Sequence, residues 1–328
     1  MVTVFRDPAD VPAGFGPSVV AIGKFDGVHS GHRAVIDRAR VDAAALGARV
    51  VAVTFDRNPL SLLRPELCPE PLVGLDQKID LLASAGVDAV LVLRFDEQLA
   101  SLAADEFVAH VLVGALDVAT VLVGDDFRFG RGGAGTPELL VELGRRYGFE
   151  VEVVGDVRAR DAGRRVSSTW VRDLLAAGDV EGAARLLGRP HAVEGEVVHG
   201  LKRGRELGFP TANLALDAQG FIPADGVYAG WLVDGGTSGA PGLDGGSTPA
   251  SVIRYPAAIS VGTNPTFDDV PTRQVEAYVL DETGLDLYGH HVQVRFTSRI
   301  RGMVAFEGID ALIAQMNDDV ARARRALT

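Results

Sequence analysis

Residues 23–32 read Gly23-Lys24-Phe25-Asp26-Gly27-Val28-His29-Ser30-Gly31-His32, and this stretch decides the fold of the first half of the chain. The apolar run Val19 to Ile22 precedes it and a segment with helical periodicity follows it, so the pattern predicts a strand, a glycine-rich turn and the start of a helix. Glycines let the backbone approach a ligand closely, and the first turn of a helix presents unpaired N–H donors with about half a positive charge. The stretch therefore predicts an anion-binding site.

Two histidines sharpen this interpretation. His29 and His32 are three residues apart, so both imidazoles lie on one side of the first helical turn if the helix begins near Val28 or His29. Imidazole is a poor turn former and a good donor to phosphate. The alternative is a glycine-rich turn that only caps an α/β unit. Lys24 adds a cation to the same loop.

The composition sets limits on fold and partners. At 328 residues, with 47% apolar and 23% charged residues, the chain is typical of a globular protein with two domains. A net charge of −12 argues against a nucleic-acid partner. Cys68 is the only cysteine, which excludes an intramolecular disulfide and a cysteine-rich zinc site. We expect a cytoplasmic monomer or weak homo-oligomer that binds small molecules and no membrane, since no run of eighteen apolar residues occurs.

The first half alternates short β-rich runs with helical patterns. This alternation predicts a parallel, helix-covered sheet with ligands at the carboxyl ends of its strands. The expected strands are Val19 to Ile22, Arg49 to Phe55, Ala89 to Leu93, Ala119 to Val123 and Glu150 to Val154, and the expected helices are His32 to Leu46, Gln77 to Ala85, Ala104 to Leu112 and Pro137 to Tyr147.

The motif G-x-F-D-G-x-H-x-G-H resembles the signature of the nucleotidyltransferases that join FMN to AMP. The resemblance implies that Gly23, Phe25, Asp26, Gly31 and the two histidines bind the nucleotide phosphates. The later element S-S-T-x-[VI]-R is similar to one that serves the adenylyl site at a second helix N-terminus. It implies the same role for a further set, Arg165, Ser168 and Thr169, with Arg172 as another candidate cation. Ser or Thr before an apolar helical run is also an ordinary N-cap.

Two other loops correspond to elements of the same family, one of them with two departures. The element G-x-D-F-x-F-G matches, which implies that Asp126, Phe127 and Phe129 contact the flavin. Alternating packing in a strand is the other interpretation of the two phenylalanines. The element T-F-x-P-H-P departs at Arg57 and at Asn58, where the histidine is expected. Asn58 can donate a hydrogen bond to the flavin nucleotide but carries no charge, and Asn58-Pro59 can equally start a turn.

The alternation of strand and helix patterns ends after Arg189-Pro190. Short β-rich runs separated by Gly- and Pro-rich turns, followed by a helix over 308–327, predict an antiparallel barrel or sandwich with a terminal helix. Asp234 to Ser251 is rich in glycine and predicts a flexible surface loop. The expected strands are Glu194 to Val198, Gly226 to Val233, Ala257 to Val261, Gln274 to Leu280 and His291 to Phe296.

The segment G-x-x-L-G-F-P-T-A-N resembles the signature of riboflavin kinases. The resemblance implies that Gly204 and Pro210 belong to an ATP site and that Thr211 and Asn213 bind Mg²⁺ and the ATP phosphates. Residues 195–204 would form a glycine-bearing loop over the phosphates, with Lys202, Arg203 and Arg205 as its cations. In isolation, a Pro followed by Thr and Asn is equally a turn with side-chain to backbone bonds.

Glu276 lies in a strand of the form V-E-x-[FY]-[VI]-L-D, which also resembles the kinases. Its alternation with apolar positions allows an inward-facing side chain, and the alternative is a solvent-face glutamate on a half-buried strand. The resemblance makes Glu276 the base that accepts the proton of the riboflavin alcohol. His290 and His291 point to opposite faces of a strand and are expected to be structural.

The two resemblances cover nearly the whole chain in the order of the prokaryotic two-domain family of flavin-nucleotide synthesis. They imply a Rossmann-like nucleotidyltransferase domain over residues 1–187 and an antiparallel β-barrel riboflavin kinase domain over residues 188–328. The substrates would be ATP, riboflavin and FMN, the product FAD, and the cofactor Mg²⁺. Two alternatives stay open: a kinase whose adenylyltransferase half has changed or lost its nucleotide, and a non-catalytic flavin-binding regulator.

Overall fold

A computed structural model of the chain describes residues 2–159, 163–199, 208–237, 253–263, 273–282, 284–304 and 306–328. Contacts divide the chain into two compact units, Met1–Ser168 and Thr169–Thr328. The helices α7 (Ser168–Ala177) and α8 (Val180–Leu187) fall almost wholly in the second unit, whereas the sequence assigns them to the first domain. The boundary between residues 187 and 188 stays a prediction.

The first unit alternates strands and helices as expected. Its strands are β1 (Thr3–Phe5), β2 (Ser18–Ile22), β3 (Arg49–Phe55), β4 (Ala89–Leu93), β5 (Val118–Gly124) and β6 (Glu150–Val154). Its helices are α1 (Ser30–Leu46), α2 (Leu60–Leu63), α3 (Leu75–Ser84), α4 (Glu97–Ser101), α5 (Ala104–Phe107), which continues as a π-helix over Val108–Ala115, and α6 (Pro137–Tyr147).

The six strands form one sheet in the order β1-β4-β3-β2-β5-β6, and every pairing is parallel. All five residues of β2 are buried, as are all five of β4, because apolar clusters cover both faces of the sheet. Continuous apolar strands of this kind are what a helix-covered parallel sheet requires. The predicted fold of the first domain is confirmed.

The strand order brings the predicted loops to one edge. β2 lies between β3 and β5 in the sheet. Since all three run parallel, the loops that follow them start at the same edge of the sheet. The chain leaves β2 toward β3 and leaves its neighbour β5 toward β6 on the opposite side. The edge between β2 and β5 is therefore a topological switch point, where open α/β sheets bind their ligands.

The second unit contains a closed antiparallel barrel with the strand order β10-β11-β8-β7-β12-β9. The barrel alternative is therefore correct and the sandwich alternative is wrong. Its elements are β7 (His191–Val198), β8 (Thr211–Leu214), β9 (Gly226–Thr237), β10 (Ile253–Thr263), β11 (Arg273–Val279), β12 (His290–Arg301) and α9 (Ile309–Leu327).

Two sequence-based expectations need correction in the barrel. β9 continues through Asp234 to Thr237, so the predicted flexible loop does not begin at Asp234, whose carboxylate lies 3.1 Å from Nδ1 of His290. Residues 238–251 lie outside the described residues. Gly195 belongs to β7, which runs to Val198. The first part of the predicted glycine-bearing loop over residues 195–204 is therefore a strand.

The helix α9 is attached to the barrel by a buried ion pair. Nη2 of Arg301 in β12 lies 2.6 Å from Oδ2 of Asp319 in α9, and Nε of Arg301 donates to both carboxylate oxygens. Asp319 is only 4% exposed, and Gln315 also donates to it. The pair is satisfied on both sides, so removing one partner leaves a buried charge without compensation.

We expect Asp319→Ala to lower the free energy of unfolding of the second unit by roughly 3 kcal/mol, because Arg301 would stay buried and unpaired. Denaturant unfolding followed by circular dichroism measures this. The neighbouring Asp318→Ala is the control, since Asp318 is exposed and lies 3.9 Å from Arg322. Equal losses in the two variants would contradict the role given to the buried pair.

Candidate functional site

The loop after β2 is held in a strained shape ahead of α1. Phe25 and Val28 have φ values of 49° and 41°, and Gly27 between them has a φ of 79°. Left-handed backbone in a bulky or β-branched residue costs of order 1–3 kcal/mol and persists only where the surroundings enforce it. Burial supplies that enforcement, since Phe25 is 2% exposed and Val28 is fully buried. Such strain is typical of ligand-binding loops.

The two histidines of the loop lie in contact, as the sequence predicts. His29 is the N-cap of α1, and its Nδ1 accepts from the backbone N–H of His32 at 3.4 Å. The two rings stack with their centroids 3.7 Å apart, and the edge of Phe25 contacts His32. A Cβ at Gly31 would lie 3.0 Å from Cε1 of His29, so any larger residue there would push the ring out of this position.

Burial and the groups around His32 favour its neutral form. Burial lowers its pKa well below the ordinary value of 6.5, and electrostatic interactions with His29, Lys24, Lys78 and Arg165 lower the pKa further. Its Nδ1 is buried and has no hydrogen-bond partner among the described residues. An uncharged imidazole with an unsatisfied nitrogen is suited to hydrogen bonding with a phosphate oxygen.

The structure brings Arg165 together with the loop after β5. Its Nη2 lies 2.9 Å from Oδ2 of Asp126, its Nε 2.8 Å from Asp156, and its Nη1 3.9 Å from Asp125. Two predicted residues, Arg165 and Asp126, are thus direct partners. A phosphate that binds Arg165 would have to compete with these carboxylates, and Asp156 was not singled out from the sequence.

The two phenylalanines of this loop have different environments. Phe129 is 7% exposed and bridges to Gly135 through two backbone hydrogen bonds, as part of the apolar core. Phe127 stacks on Phe129 with centroids 5.4 Å apart and is half-buried. Packing therefore accounts for Phe129, and Phe127 is the ring with accessible surface. Flavin contact by either ring stays a prediction.

Asp26 connects three segments of the first unit. Its Oδ1 accepts from the backbone N–H of Leu72 at 2.8 Å, and its carbonyl oxygen accepts from Oγ of Ser168, also at 2.8 Å. This geometry ties Ser168, the last residue of the first unit, to the loop after β2. Gly23 donates its N–H to the carbonyl of Val53, which ties the same loop to β3. Thr169 is the first residue of the second unit, and its phosphate role stays a prediction.

Asn58 behaves as the turn interpretation predicts. Its Oδ1 accepts from the backbone N–H of Leu60 at 3.1 Å, and its carbonyl accepts from Ser61 at the start of α2. Its flavin role stays a prediction.

Lys78 in α3 was missed by the sequence reasoning. It is 9% exposed and its Nζ donates to the carbonyl of Phe55, the last residue of β3, at 2.8 Å. Burial lowers its pKa from 10.5 to about 8, against the opposing effects of Asp26 and Asp56. Helical periodicity places residue 78 on an apolar face, and a lysine on that face is the signal that would have found it.

In the barrel, Glu276, Asn213 and Thr211 form a connected set. β11 pairs with β8 so that Glu276 is opposite Asn213 and Tyr278 is opposite Thr211. The Thr211 hydroxyl donates to Glu276 at 3.4 Å, and the Asn213 amide donates to the same hydroxyl at 3.3 Å. The structure therefore unites three predicted residues. Gly204 and the predicted cations at positions 202, 203 and 205 lie outside the described residues.

Glu276 is half-buried and lies on the face of β11 opposite to the buried Val275 and Ala277. It therefore shares the outer face of the barrel with Tyr278, and the inward-facing expectation is wrong. Burial raises the pKa of Glu276, with the hydrogen bond from Thr211 opposing. Pro210 directly precedes β8, beside Phe209, whose ring contacts Tyr278. A partly buried carboxylate with a raised pKa is suited to accept a proton.

The donor set fits a magnesium ion shared with a nucleotide. A hydroxyl, an amide and a carboxylate lie together, and Mg²⁺ prefers such oxygen ligands. No group of three or more His, Cys, Asp or Glu side chains with metal-binding geometry occurs in the described part of the chain. Mg²⁺ commonly uses one or two protein ligands with substrate phosphates and water, so a complete protein cage is not required.

Known proteins match both units. The FAD synthetase family model matches residues 13–170, and the riboflavin kinase model matches residues 187–327. The bifunctional riboflavin kinase/FMN adenylyltransferase of Escherichia coli is 39% identical over 306 residues, which cover 93% of this chain and 91% of that protein. The protein of the same name from Pseudomonas fluorescens is 40% identical and covers 93% and 92%.

A solved structure shares the whole fold. It is described as a macrolide-efflux protein from Streptococcus pneumoniae, is 32% identical, covers 99% of both chains and has a TM-score of 0.83. In the described residues of the present chain, every helix is too short or too polar to span a bilayer. The identities over almost the full length, with both family models in one chain, show that it belongs to the bifunctional riboflavin kinase/FMN adenylyltransferase family.

Proposed function

We propose that the chain phosphorylates riboflavin to FMN in its second unit and adenylylates FMN to FAD in its first unit, each time with ATP. The observation that carries this proposal is that both family models match this one chain. Each model covers one of the two clusters of candidate residues. The net charge of −12 and the single cysteine support small-molecule partners and a reducing cytoplasm.

In the kinase step, Glu276 accepts the proton of the ribityl 5′-hydroxyl, whose oxygen attacks the γ-phosphorus of ATP. The bond to the β–γ bridging oxygen breaks, and FMN and ADP form. The raised pKa brings the carboxylate closer to the pH at which it works. Thr211 and Asn213 would hold Mg²⁺, which when bound supplies positive charge to the phosphates. Thr211 also keeps the Glu276 carboxylate oriented.

In the adenylyl step, a phosphate oxygen of FMN attacks the α-phosphorus of a second ATP and pyrophosphate leaves. The attacking group is already an anion, so no protein nucleophile is needed and positioning with electrostatics dominates. His29 and His32 donate hydrogen bonds to the α-phosphate oxygens, and Lys24 adds charge. Arg165 exchanges its carboxylate partners for phosphate.

Incubation of the purified protein with riboflavin and MgATP tests both steps. Separation of the flavins by chromatography should show FMN first and FAD later. Absence of FMN would refute the kinase step, and FMN without FAD would refute the adenylyl step. Binding of FMN or FAD with no turnover would support the regulator alternative.

A second candidate is a kinase whose adenylyltransferase half uses another nucleotide or is inactive. The departure at Arg57 and Asn58 favours it, because the uncharged Asn58 caps a turn where the family has a histidine. Comparison of ATP, CTP and GTP as donors to FMN separates the two. We expect ATP to be used, since the histidine pair and Arg165 are in place.

Gly31→Ala should lower FAD formation from FMN by about 10²-fold, because the new Cβ displaces the His29 ring and a small misplacement is costly to a positioned site. FMN formation from riboflavin should be unchanged. Chromatographic initial rates measure both steps. Gly155→Ala is the control, since a Cβ there meets nothing within 4 Å. Equal FAD rates in the two variants would show that the ring position is unimportant.

A further inference from the structure

Lysine is rare in this chain, and its rarity draws attention to Lys78. Only three of the 32 basic side chains are lysine, at positions 24, 78 and 202. Lys24 is in the loop after β2, and Lys202 is in the segment that resembles the kinase phosphate loop. Arginine and lysine differ at buried sites, because lysine is a compact point charge that can lose its proton and arginine is not. Lys78 is buried, and the other two lysines belong to sequence segments that resemble phosphate-binding loops.

The contacts of Lys78 place it beneath the loops that form the adenylyl site. It projects from α3, and its Nζ donates to the carbonyl of Phe55 at the carboxyl end of β3. Its charge acts on Asp26, in the loop after β2, and on Asp56, in the loop after β3. Asp56 in turn accepts from the backbone N–H of Phe95 at 2.9 Å, after β4. One buried ammonium group thus connects the loops after adjacent strands.

Lys78 also acts on His32. Its positive charge lies within electrostatic range of the imidazole, together with Lys24 and His29 from the loop after β2 and Arg165 before α7. The acidic groups facing Lys78 are Asp26 and Asp56. Lys78 is the buried lysine of this group, whereas Lys24 is exposed.

We propose that Lys78 is a positioning residue of the adenylyl-transfer step, which holds the loops after β2 and β3 in register beside His32. The proposal rests on the proposed function for the value of that step, and on the burial of Lys78 and its hydrogen bond to Phe55 for its geometry. Lys78 contacts no reacting atom in this account. Its role is exerted through Phe55, Asp26, Asp56 and His32.

The test compares the full-length wild-type chain with Lys78→Met, Lys78→Arg and Ile79→Ala. Lys78→Met retains the volume of the side chain without its charge, and we expect kcat for FAD formation to fall by about 10²-fold. Lys78→Arg should also be impaired, because the larger guanidinium does not fit the buried position. Ile79→Ala removes buried apolar surface from the same helix but leaves the hydrogen bond of Lys78 to Phe55 in place, and it should retain kcat. Formation of FMN from riboflavin should be unchanged in all variants.

A second readout separates positioning from a general structural role. The pKa of His32, followed by NMR of labelled imidazoles, should rise in Lys78→Met because a neighbouring positive charge is removed. In the wild-type protein, the His32 signals should show a further inflection near pH 8 as Lys78 loses its proton, which requires no variant. An unmoved His32 pKa and no such inflection would overturn the proposal. A kcat that is unchanged in Lys78→Met, or reduced equally in Ile79→Ala, would also overturn it.

Failure of the proposed function has a different signature. If the wild-type chain makes no FAD from FMN and ATP, the assignment of the adenylyl step is wrong. The NMR result would still decide whether Lys78 controls the charge of His32.

Discussion

Glu276→Gln should abolish FMN formation while added FMN is still converted to FAD. The glutamine retains the shape of the side chain and loses the group that accepts the hydroxyl proton, which typically contributes roughly 10²–10⁴-fold. Chromatographic rates with riboflavin and with FMN measure the two steps separately. Glu282→Gln, an exposed carboxylate beyond the end of β11, is the control and should behave as the wild type. Normal FMN formation by Glu276→Gln would remove Glu276 from the mechanism.

The raised pKa of Glu276 predicts how the kinase rate and the stability of the protein change with pH. Because burial raises the pKa in the folded protein, the charged form is disfavoured by folding, and the stability contributed by this group falls as pH rises through the interval between its unfolded and folded pKa values. At pH 7 the variant should therefore be at least as stable as the wild type. The wild-type kinase rate should fall on acidification through the raised pKa. A destabilised variant would mean that the activity loss reports unfolding.

His32→Ala should lower FAD formation from FMN by roughly 10²-fold or more, comparable to the loss of one transition-state hydrogen-bond donor in a preorganised site. The imidazole is half-buried, stacked on His29 and surrounded by cations, so no other side chain replaces it. Initial rates with FMN and ATP measure the effect, and FMN formation should be unchanged. His110→Ala removes an exposed histidine of the same unit and serves as the control. An unchanged rate in His32→Ala would refute the phosphate role of the loop.

The parts of the fold with strong local signals could be predicted from the sequence. β2, β3 and β4 are apolar runs buried on both faces of the sheet, and the loop of residues 23–32 has its glycines and histidines where the strand and helix meet. The short edge strand β1 gave no comparable signal because three residues show no periodicity. β8 was hidden in the Thr211 to Asn213 motif, which reads equally well as a turn.

Features that depend on distant contacts could not be predicted. Asp234 to Thr237 joins the barrel because β12 pairs with it across more than fifty residues of chain, and its glycines conceal this pairing. Lys78 and Asp156 acquire their importance from loops that approach only in the folded sheet. The resemblance to the family implies that Asp26 binds the nucleotide phosphates. Only the structure shows that its carboxylate also accepts a hydrogen bond from the backbone N–H of Leu72.

A mixing experiment with the two variants tests the central claim most directly, that one chain carries two independent sites joined by a diffusible FMN. Glu276→Gln and His32→Ala are each incubated alone, and then together, with riboflavin and MgATP, and FAD is measured by chromatography. We expect little FAD from either variant alone and rapid FAD formation from the mixture, because one variant supplies the FMN that the other adenylylates. A mixture that forms no more FAD than the two variants separately would contradict it.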